Sequence, residues 1–256
     1  MQIGNKTVSI ITPLYNAEEF IKATADSVLA QTCEDFEWLI VNDSSTDSSR
    51  RLLDEIAEKD ERIVVINLPE NHGPIYARNI ALEKASGRYI AFLDADDLWL
   101  PRKLELQIVL MRNRNAALSC TRYKKINKDG SLRTGITIPV PEVATYNQIM
   151  HSDSIMASSA MYDRNITGDI RQTYEAAVGR DDYHFFLTIL KDHKNVYCVM
   201  EDLARLRVFS ETLTGNKMKA AGMQWAFYRN VAGLSFPSSV VKFTVYAVKG
   251  FLKYLM

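Results

Sequence analysis

The feature that most constrains this chain is a regular change of hydrophobic period across its first hundred residues. Short runs of apolar, often β-branched residues alternate with longer segments whose apolar positions recur at helical spacing. Residues 7–12 (TVSIIT) read as a buried strand ended by Pro13, and Asn16 is placed to cap a helix carrying Phe20, Ile21, Ala25, Val28 and Leu29. A strand at 36–41 (FEWLIV) closes in Asn42-Asp43-Ser44-Ser45, and a helix with Leu52, Leu53 and Ile56 follows. A strand at 63–68, a helix at 74–85 and a strand at 89–93 (YIAFL) complete the series, which ends in Asp94-Ala95-Asp96-Asp97. Strands that are apolar throughout, rather than alternating, are covered on both faces, so the pattern predicts an α/β fold with a parallel sheet flanked by helices. Ligands of such sheets sit beyond the carboxyl ends of the strands. That rule places Pro13, Tyr15, Asp43, Asp94 and Asp96 on one crevice.

The second half is less regular. It predicts a helix at 101–113, a strand at 117–125, a turn at Lys128-Asp129-Gly130-Ser131 into a strand at 132–138, and a strand at 155–162. A helix with Tyr183, Phe186, Leu187 and Leu190 begins near Asp181, and strands at 196–200 and 204–209 finish the sheet. Without repeats or linkers, the chain reads as one domain, 1–212, with a C-terminal helical extension, 213–256.

Lys+Arg and Asp+Glu balance at 31 each, which argues against a general nucleic-acid binder. Cys33, Cys120 and Cys198 are scattered, form no metal or disulfide framework, and suit a reducing cytosol as small buried residues. The polar start MQIGNK does not resemble a signal peptide, and no apolar run reaches the ~18 residues of a spanning helix. The expected location is cytoplasmic.

Asp94, Asp96 and Asp97 follow an apolar strand directly, and three carboxylates so close repel one another unless a cation sits among them. Oxygen-only ligands favour magnesium or manganese, which keep waters and bind substrate phosphates. In an extended segment Asp94 and Asp96 would share a face. A solvated turn with helix-capping aspartates is the plainer alternative.

Four segments in order, VSIITPLYNAEEFI, FEWLIVNDSSTD, NHGPIYARNIAL and GRYIAFLDADD, resemble the family 2 glycosyltransferases of the GT-A fold. The resemblance is best to bacterial enzymes that build cell-surface polysaccharides of the teichuronic-acid and O-antigen type. It implies a nucleotide-diphosphate-sugar donor, a UDP-sugar in the first instance, bound along Thr12, Pro13, Tyr15, Asp43, Arg78, Asp94, Ala95 and Asp96. Pro13 and Tyr15 would flank the base, Asp43 would accept from the uracil imide, and Arg78 would meet the base or diphosphate. Asp94 would hold the ribose, and Asp96 would ligate a manganese or magnesium ion between the phosphates. A carboxylate suits an imide N–H, and a guanidinium suits phosphate. The bland alternatives are an Asx-turn for Asp43 and a surface ion pair for Arg78.

Gly179-Arg180-Asp181-Asp182-Tyr183 resembles the family's acidic stretch at a helix start, and carries the catalytic base to Asp182, with Asp181 as the fallback. Adjacent acids at a helix N-terminus also complement its dipole without catalysis. His184 reads as packing, since it lies two residues along the helix from Asp182, and His72 as a possible donor contact. The family often has Arg-x-His after the last strand. Here Arg207-Val208-Phe209-Ser210 puts phenylalanine at the histidine, leaving Arg207 for phosphate.

Residues 236–256 mix apolar and aromatic residues with Lys242, Lys249 and Lys253 and no acid, the lysines falling on one side of a helix. Arg229, Lys217 and Lys219 add charge upstream. Such a helix lies in the interface of an anionic membrane or docks on the core. The first option places the chain peripherally at the inner face of the cell membrane, where a glycan or lipid-linked acceptor would be found. A dinucleotide oxidoreductase or a nucleotidyltransferase would want glycines after the first strand, where Thr12-Pro13-Leu14-Tyr15-Asn16 has none. A degenerate nucleotide-sugar-binding module would not need all of Asp43, Asp94, Asp96 and Asp182.

Overall fold

A computed structural model describes residues 6–151, 155–173, 180–209 and 217–255, with side chains over the same ranges except at 217 and 249–255. Gly179, Ser210, the side chains of Lys217, Lys249 and Lys253, and the expected domain boundary after residue 212 lie outside what is described. Strands β1 (Val8–Leu14), β2 (Phe36–Asn42), β3 (Ile63–Asn67) and β4 (Tyr89–Phe92) are parallel, in the order β3-β2-β1-β4. Helices α1 (Ile21–Leu29), α2 (Ser49–Ala57) and α3 (Pro74–Lys84) connect them. Every residue of β2, and all of β1 but Pro13, is buried, as uniformly apolar strands require.

Pro13 does not end β1, which runs on to Leu14. β4 accompanies β1 only as far as Ile11, so the proline's missing N–H falls where β1 has one neighbour instead of two. Nor does Asn16 cap α1, which starts after Phe20 without a side-chain cap. Asn16 instead sits in the left-handed region (φ 49) and its Oδ1 accepts from the Thr46 amide at 2.8 Å. That bond ties the loop after β1 to the loop after β2.

Beyond β4 come β5 (Leu98–Trp99), β6 (Leu118–Ile126), β7 (Val143–Thr145), β8 (Met161–Asp163) and β9 (Asn195–Arg207). The helices there are α4 (Lys103–Arg114), α5 (Tyr146–Met150), α6 (Arg164–Thr167), α7 (Asp181–His193), α8 (Lys217–Ala226) and α9 (Phe236–Leu255). β8 is antiparallel to β4 and β6, β6 and β9 are parallel, and β5 and β7 run antiparallel to β9. The sheet is therefore parallel at one end and mixed at the other, with helices covering it.

Three expectations change here. The strands at 196–200 and 204–209 are one, β9, whose pairing with β6 shifts register between Thr121 and Tyr123. Residues 132–138 form isolated bridges at Leu132 and Ile138 rather than a strand. A single turn of 3-10 helix (Ala157–Ser159) interrupts the span 155–162, leaving only Met161 onward as β8.

Gly87, just before β4, lies against β1. A Cβ there would stand 2.5 Å from the Ser9 amide nitrogen and 2.7 Å from the Val8 carbonyl carbon, and the Gly87 amide donates to Ser9 Oγ at 2.8 Å. Since backbone must give way, Gly87→Ala is expected to destabilise the fold by about 2 kcal/mol, measured by urea unfolding. Unchanged stability would show that β1 and this turn are not in close contact.

The C-terminal helices pack on α5 and α7. Tyr183 and Phe227 stack edge to face at 4.9 Å, the Tyr228 hydroxyl donates to the Met150 carbonyl at 2.5 Å, and Arg180 Nη2 donates to the Tyr246 hydroxyl at 2.8 Å.

Candidate active site

The residues past β1, β2 and β4 are linked through α3. Asp43 is the first residue beyond β2, and its amide donates to the Leu14 carbonyl at 2.8 Å. Its carboxylate, 2 % exposed, accepts from the amides of His72 (2.9 Å) and Gly73 (2.7 Å), the latter at φ 88 immediately before α3. Amides at a helix N-terminus are unpaired and carry positive potential, so an acid there anchors α3. Each carboxylate oxygen keeps a second lone pair for a further donor.

So anchored, α3 delivers Arg78. This guanidinium is 5 % exposed, and it reaches Asp94 Oδ1 at 2.6 Å and Asp182 Oδ1 at 2.8 Å. Burial alone would ease its proton off, but the charges of Asp182 and then Asp94 more than offset this and hold the proton more tightly than in water. Arg78 is thus no surface ion pair. It joins the turn after β4 to the first turn of α7, segments far apart in the sequence. Asp182 also accepts from Gln172 Nε2 at 3.0 Å. Asp181 lies beside it with Oδ1 buried and unpaired, and burial, then the charge of Asp182, raises its pKa.

The acidic segment after β4 is a turn, not an extended strip, since the Asp97 amide donates to the Asp94 carbonyl at 3.1 Å. Its acids differ in kind. Asp97 is buried and structural: Oδ2 accepts from the Ser158 hydroxyl (2.5 Å) and Oδ1 from the Arg207 amide (2.8 Å). Ser158 Oγ in turn accepts from the Asp94 amide at 3.0 Å. Asp96 is the opposite case. Among the described residues no side-chain donor meets its carboxylate, which keeps only its own backbone amide, and burial, then the charge of Asp94, pushes its pKa up to about 6. A carboxylate crowded by others and without a side-chain donor suits a hard cation. No cluster of three or more His, Cys, Asp or Glu side chains able to hold a metal occurs among the described residues. Asp96 would therefore share such an ion with substrate oxygens and water.

Several expected contacts fall elsewhere. Thr12 is buried and its Oγ1 accepts from Trp38 Nε1 at 2.8 Å, so its side chain is part of the sheet packing. Ala95 is buried too, and its carbonyl accepts from the Thr24 hydroxyl at 2.8 Å. Pro13 is half-buried, and Tyr15 is exposed at the crevice mouth. Arg207, expected to be left for phosphate, donates to the carbonyls of Asp96 (2.7 Å), Lys128 (2.6 Å) and Asn127 (3.2 Å) and stacks over Phe20 at 4.9 Å. It holds the Asp96 backbone. Phe209 lies 5.6 Å from the same ring, so the phenylalanine at the expected histidine extends an apolar contact. His72 stacks on Tyr76 at 4.3 Å beside Asp43, while His184 packs near Phe227 at 6.0 Å, a structural role. Lys242 Nζ lies 3.4 Å from His151 Nε2 and so faces the core, not the outer side of α9.

Ser158, Asn79 and Gln172 escaped the sequence reading. Asn79 sits inside the segment NHGPIYARNIAL and could have been marked there, whereas Ser158 and Gln172 are single polar residues in the irregular half with no spacing to betray them.

Comparison with known proteins identifies the family and the fold. The model of glycosyl transferase family 2 matches residues 9–171. The chain is 40% identical over 240 residues to TuaG of Bacillus subtilis, a glycosyltransferase named for teichuronic acid biosynthesis, covering 94% of each chain. It is 34% identical over 220 residues to the Escherichia coli UDP-Glc:alpha-D-GlcNAc-diphosphoundecaprenol beta-1,3-glucosyltransferase WfgD, covering 85% of this chain and 83% of that one. Among solved structures, TarS of S. aureus in complex with UDP superposes with a TM-score of 0.68 at 20% identity, covering 95% of this chain and 70% of TarS. The mannosyltransferase PcManGT of Pyrobaculum calidifontis, in complex with GDP-Man and Mn2+, gives 0.68 at 18% identity over 98% of this chain and 72% of its own. With its β3-β2-β1-β4 sheet, its acids at the strand ends and these relatives, the chain belongs to glycosyl transferase family 2 and has the GT-A fold.

Proposed function

We propose that this glycosyltransferase moves a sugar from a UDP-sugar to a lipid-linked glycan with inversion at the anomeric carbon, in the building of a cell-surface polysaccharide. The observation that carries the reading is the Arg78 bridge, which sets Asp182 one guanidinium away from Asp94 on the nucleotide side. The donor and the diphosphoundecaprenol acceptor in the name of WfgD support the donor and acceptor classes, and the name of TuaG supports the polysaccharide. In this reading Asp43 meets the uracil with its remaining lone pairs, Asp94 holds the ribose, and the backbone at Thr12 and Ala95 lines the site with Pro13 and Tyr15. Arg78, already charged and lodged between the acids, meets the diphosphate. Asp96 would hold a magnesium or manganese ion, which when bound supplies positive charge against the departing diphosphate. Asp182, 31 % exposed, takes the proton from the acceptor hydroxyl as it attacks.

A screen of UDP-, GDP- and dTDP-sugars, each with metal and with chelator, tests this. Slow metal-dependent release of UDP, and not of the other diphosphates, is expected. Release of none would leave only a binding module.

Residues 213–256 are proposed to form a C-terminal helical extension with a membrane role, at the inner face of the cell membrane. No helix among the described residues is long and apolar enough to cross a membrane. α9 turns Phe243 onto Trp225 (5.5 Å) and Tyr246 toward Arg180, leaving Val240, Val241 and Val248 outward. From residue 212 onward the chain carries Lys and Arg but no Asp or Glu. An exposed apolar stripe in such a basic segment suits an interfacial helix on anionic lipid. Val241 and Val248 are 63% and 52% exposed, so Val241→Glu with Val248→Glu leaves packing alone. The pair is expected to lower flotation with phosphatidylglycerol vesicles at least about tenfold. Equal flotation would remove this face from the membrane contact.

A further inference from the structure

We infer that Asn79 and Gln172 are positioning residues for the base, an inference that rests on Asp182 filling that role. Asn79 directly follows Arg78 in α3. Its side-chain amide pairs with both backbone groups of Gln172: Nδ2 donates to the Gln172 carbonyl at 2.9 Å, and Oδ1 accepts from the Gln172 amide at 2.9 Å. This is the hydrogen-bond pattern of two strands made by one side chain, and it fixes the backbone of Gln172 at both polar groups. Gln172 itself is 4 % exposed. Held there, it donates through Nε2 to Asp182 Oδ1 at 3.0 Å, the same oxygen that receives Arg78 Nη1 at 2.8 Å.

Two consecutive residues of α3 therefore converge on one oxygen of Asp182, Arg78 directly and Asn79 through Gln172. The two arms differ in chemistry. Arg78 adds a positive charge, which favours the ionised carboxylate and weakens it as a base. Gln172 adds a dipole and no charge, and orients the carboxyl with a smaller penalty of the same kind. A buried side chain pinned by its own backbone loses little further entropy in holding this contact. Because Arg78 also faces Asp94, it has competing partners, whereas the Nε2 of Gln172 has Asp182. Gln172 thus keeps the base aimed whichever partner Arg78 takes. Arg78 Nε and Gln172 Oε1 are both buried without a hydrogen-bond partner beside this carboxyl. Unsatisfied polar atoms of this kind are rare in a packed interior and concentrate at functional sites.

Among the described residues the charged groups around Asp182 include Arg78 on α3, Asp94 after β4 and Asp181 on its own helix. Arg78 and the Gln172 donor both favour the ionised form, and the two acids oppose it. Without the Gln172 donor the acid limb of the kcat–pH profile should move to higher pH, because a bond made to the ionised form is gone.

The test uses full-length Gln172→Ala, Gln172→Glu, Asn79→Ala and the double variant Asn79→Ala with Gln172→Ala. Melting temperature and UDP affinity are measured alongside the kinetics. For Gln172→Ala, a fall in kcat of about tenfold, a donor KM within about twofold and the shifted acid limb are expected. Gln172→Glu keeps the volume but sets a second carboxylate against Asp182, so its limb should move further the same way, and it serves if the alanine variant does not fold. The double variant should be no worse than Gln172→Ala, since the two residues act in series. An unmoved acid limb in Gln172→Ala and Gln172→Glu, or losses that multiply in the double variant, would overturn the inference. Asp182→Asn separates the two failures. If that variant still transfers sugar, the base assignment itself falls; if it is inactive while the Gln172 variants keep the wild-type profile, only the positioning role falls.

Discussion

Asp182→Asn is expected to slow sugar transfer by about three orders of magnitude, with UDP affinity in the presence of metal changed by less than about twofold. The asparagine has the size of the aspartate and retains Oδ1, so Arg78 Nη1 and Gln172 Nε2 keep an acceptor at the positions they now occupy, 2.8 and 3.0 Å away. What it lacks is a site for the acceptor's proton. The split between the two measurements is therefore informative. Rate loss with binding intact is the signature of an interaction made only in the transition state. Loss of UDP binding together with rate would show that Asp182 serves mainly to pair Arg78 and build the crevice wall, a structural role.

The second large effect is expected at Asp96. Asp96→Ala should weaken UDP binding at least about tenfold and make what remains indifferent to chelator, since outer-shell partners alone shift metal affinity by 10- to 100-fold. The neighbouring acid provides the control. Asp97 is tied to Ser158 and to the Arg207 amide, so Asp97→Ala should lower the melting temperature, a loss absent from Asp96→Ala. Nucleotide binding by Asp96→Ala that still responds to metal and chelator as the parent does would remove Asp96 from the cation. Titration calorimetry with UDP, with and without manganese, reads both variants.

The first hundred residues were legible because β1, β2 and β4 are buried almost throughout and the helices on one face, and burial of that kind writes itself into period and composition. The acids after β2 and β4 could be placed at strand ends for the same reason. What each acid does there could not. Asp94-Ala95-Asp96-Asp97 gives three like side chains, and only the surrounding Ser158, Arg207 and Arg78 divide them into a structural acid, an ion-paired acid and one with no side-chain donor among the described residues. Arg207 looked available for phosphate because its sequence position says nothing of the Asn127–Lys128 turn that folds over it. Thr12 sits at a strand end, but strand alternation sends its side chain to Trp38. Asn16 has the residue type of a cap and the backbone of a left-handed turn. Beyond β4 several elements are too short to show a period: β5 has two residues and β7 three. The pairing of Asn79 with Gln172 spans 93 positions through one side-chain amide, and leaves no pattern that spacing can reveal.

Anomalous diffraction from crystals grown with UDP and manganese reports most directly on the convergence of these side chains around a nucleotide and its ion. The expected map has a manganese peak about 2.0–2.2 Å from an Asp96 carboxylate oxygen, with UDP phosphates on its other side, uracil against Asp43, and Asp182 facing the diphosphate across the crevice. A bound UDP whose manganese lies away from Asp96, or a nucleotide seated on a surface that does not include Asp43 and Arg78, would contradict the account.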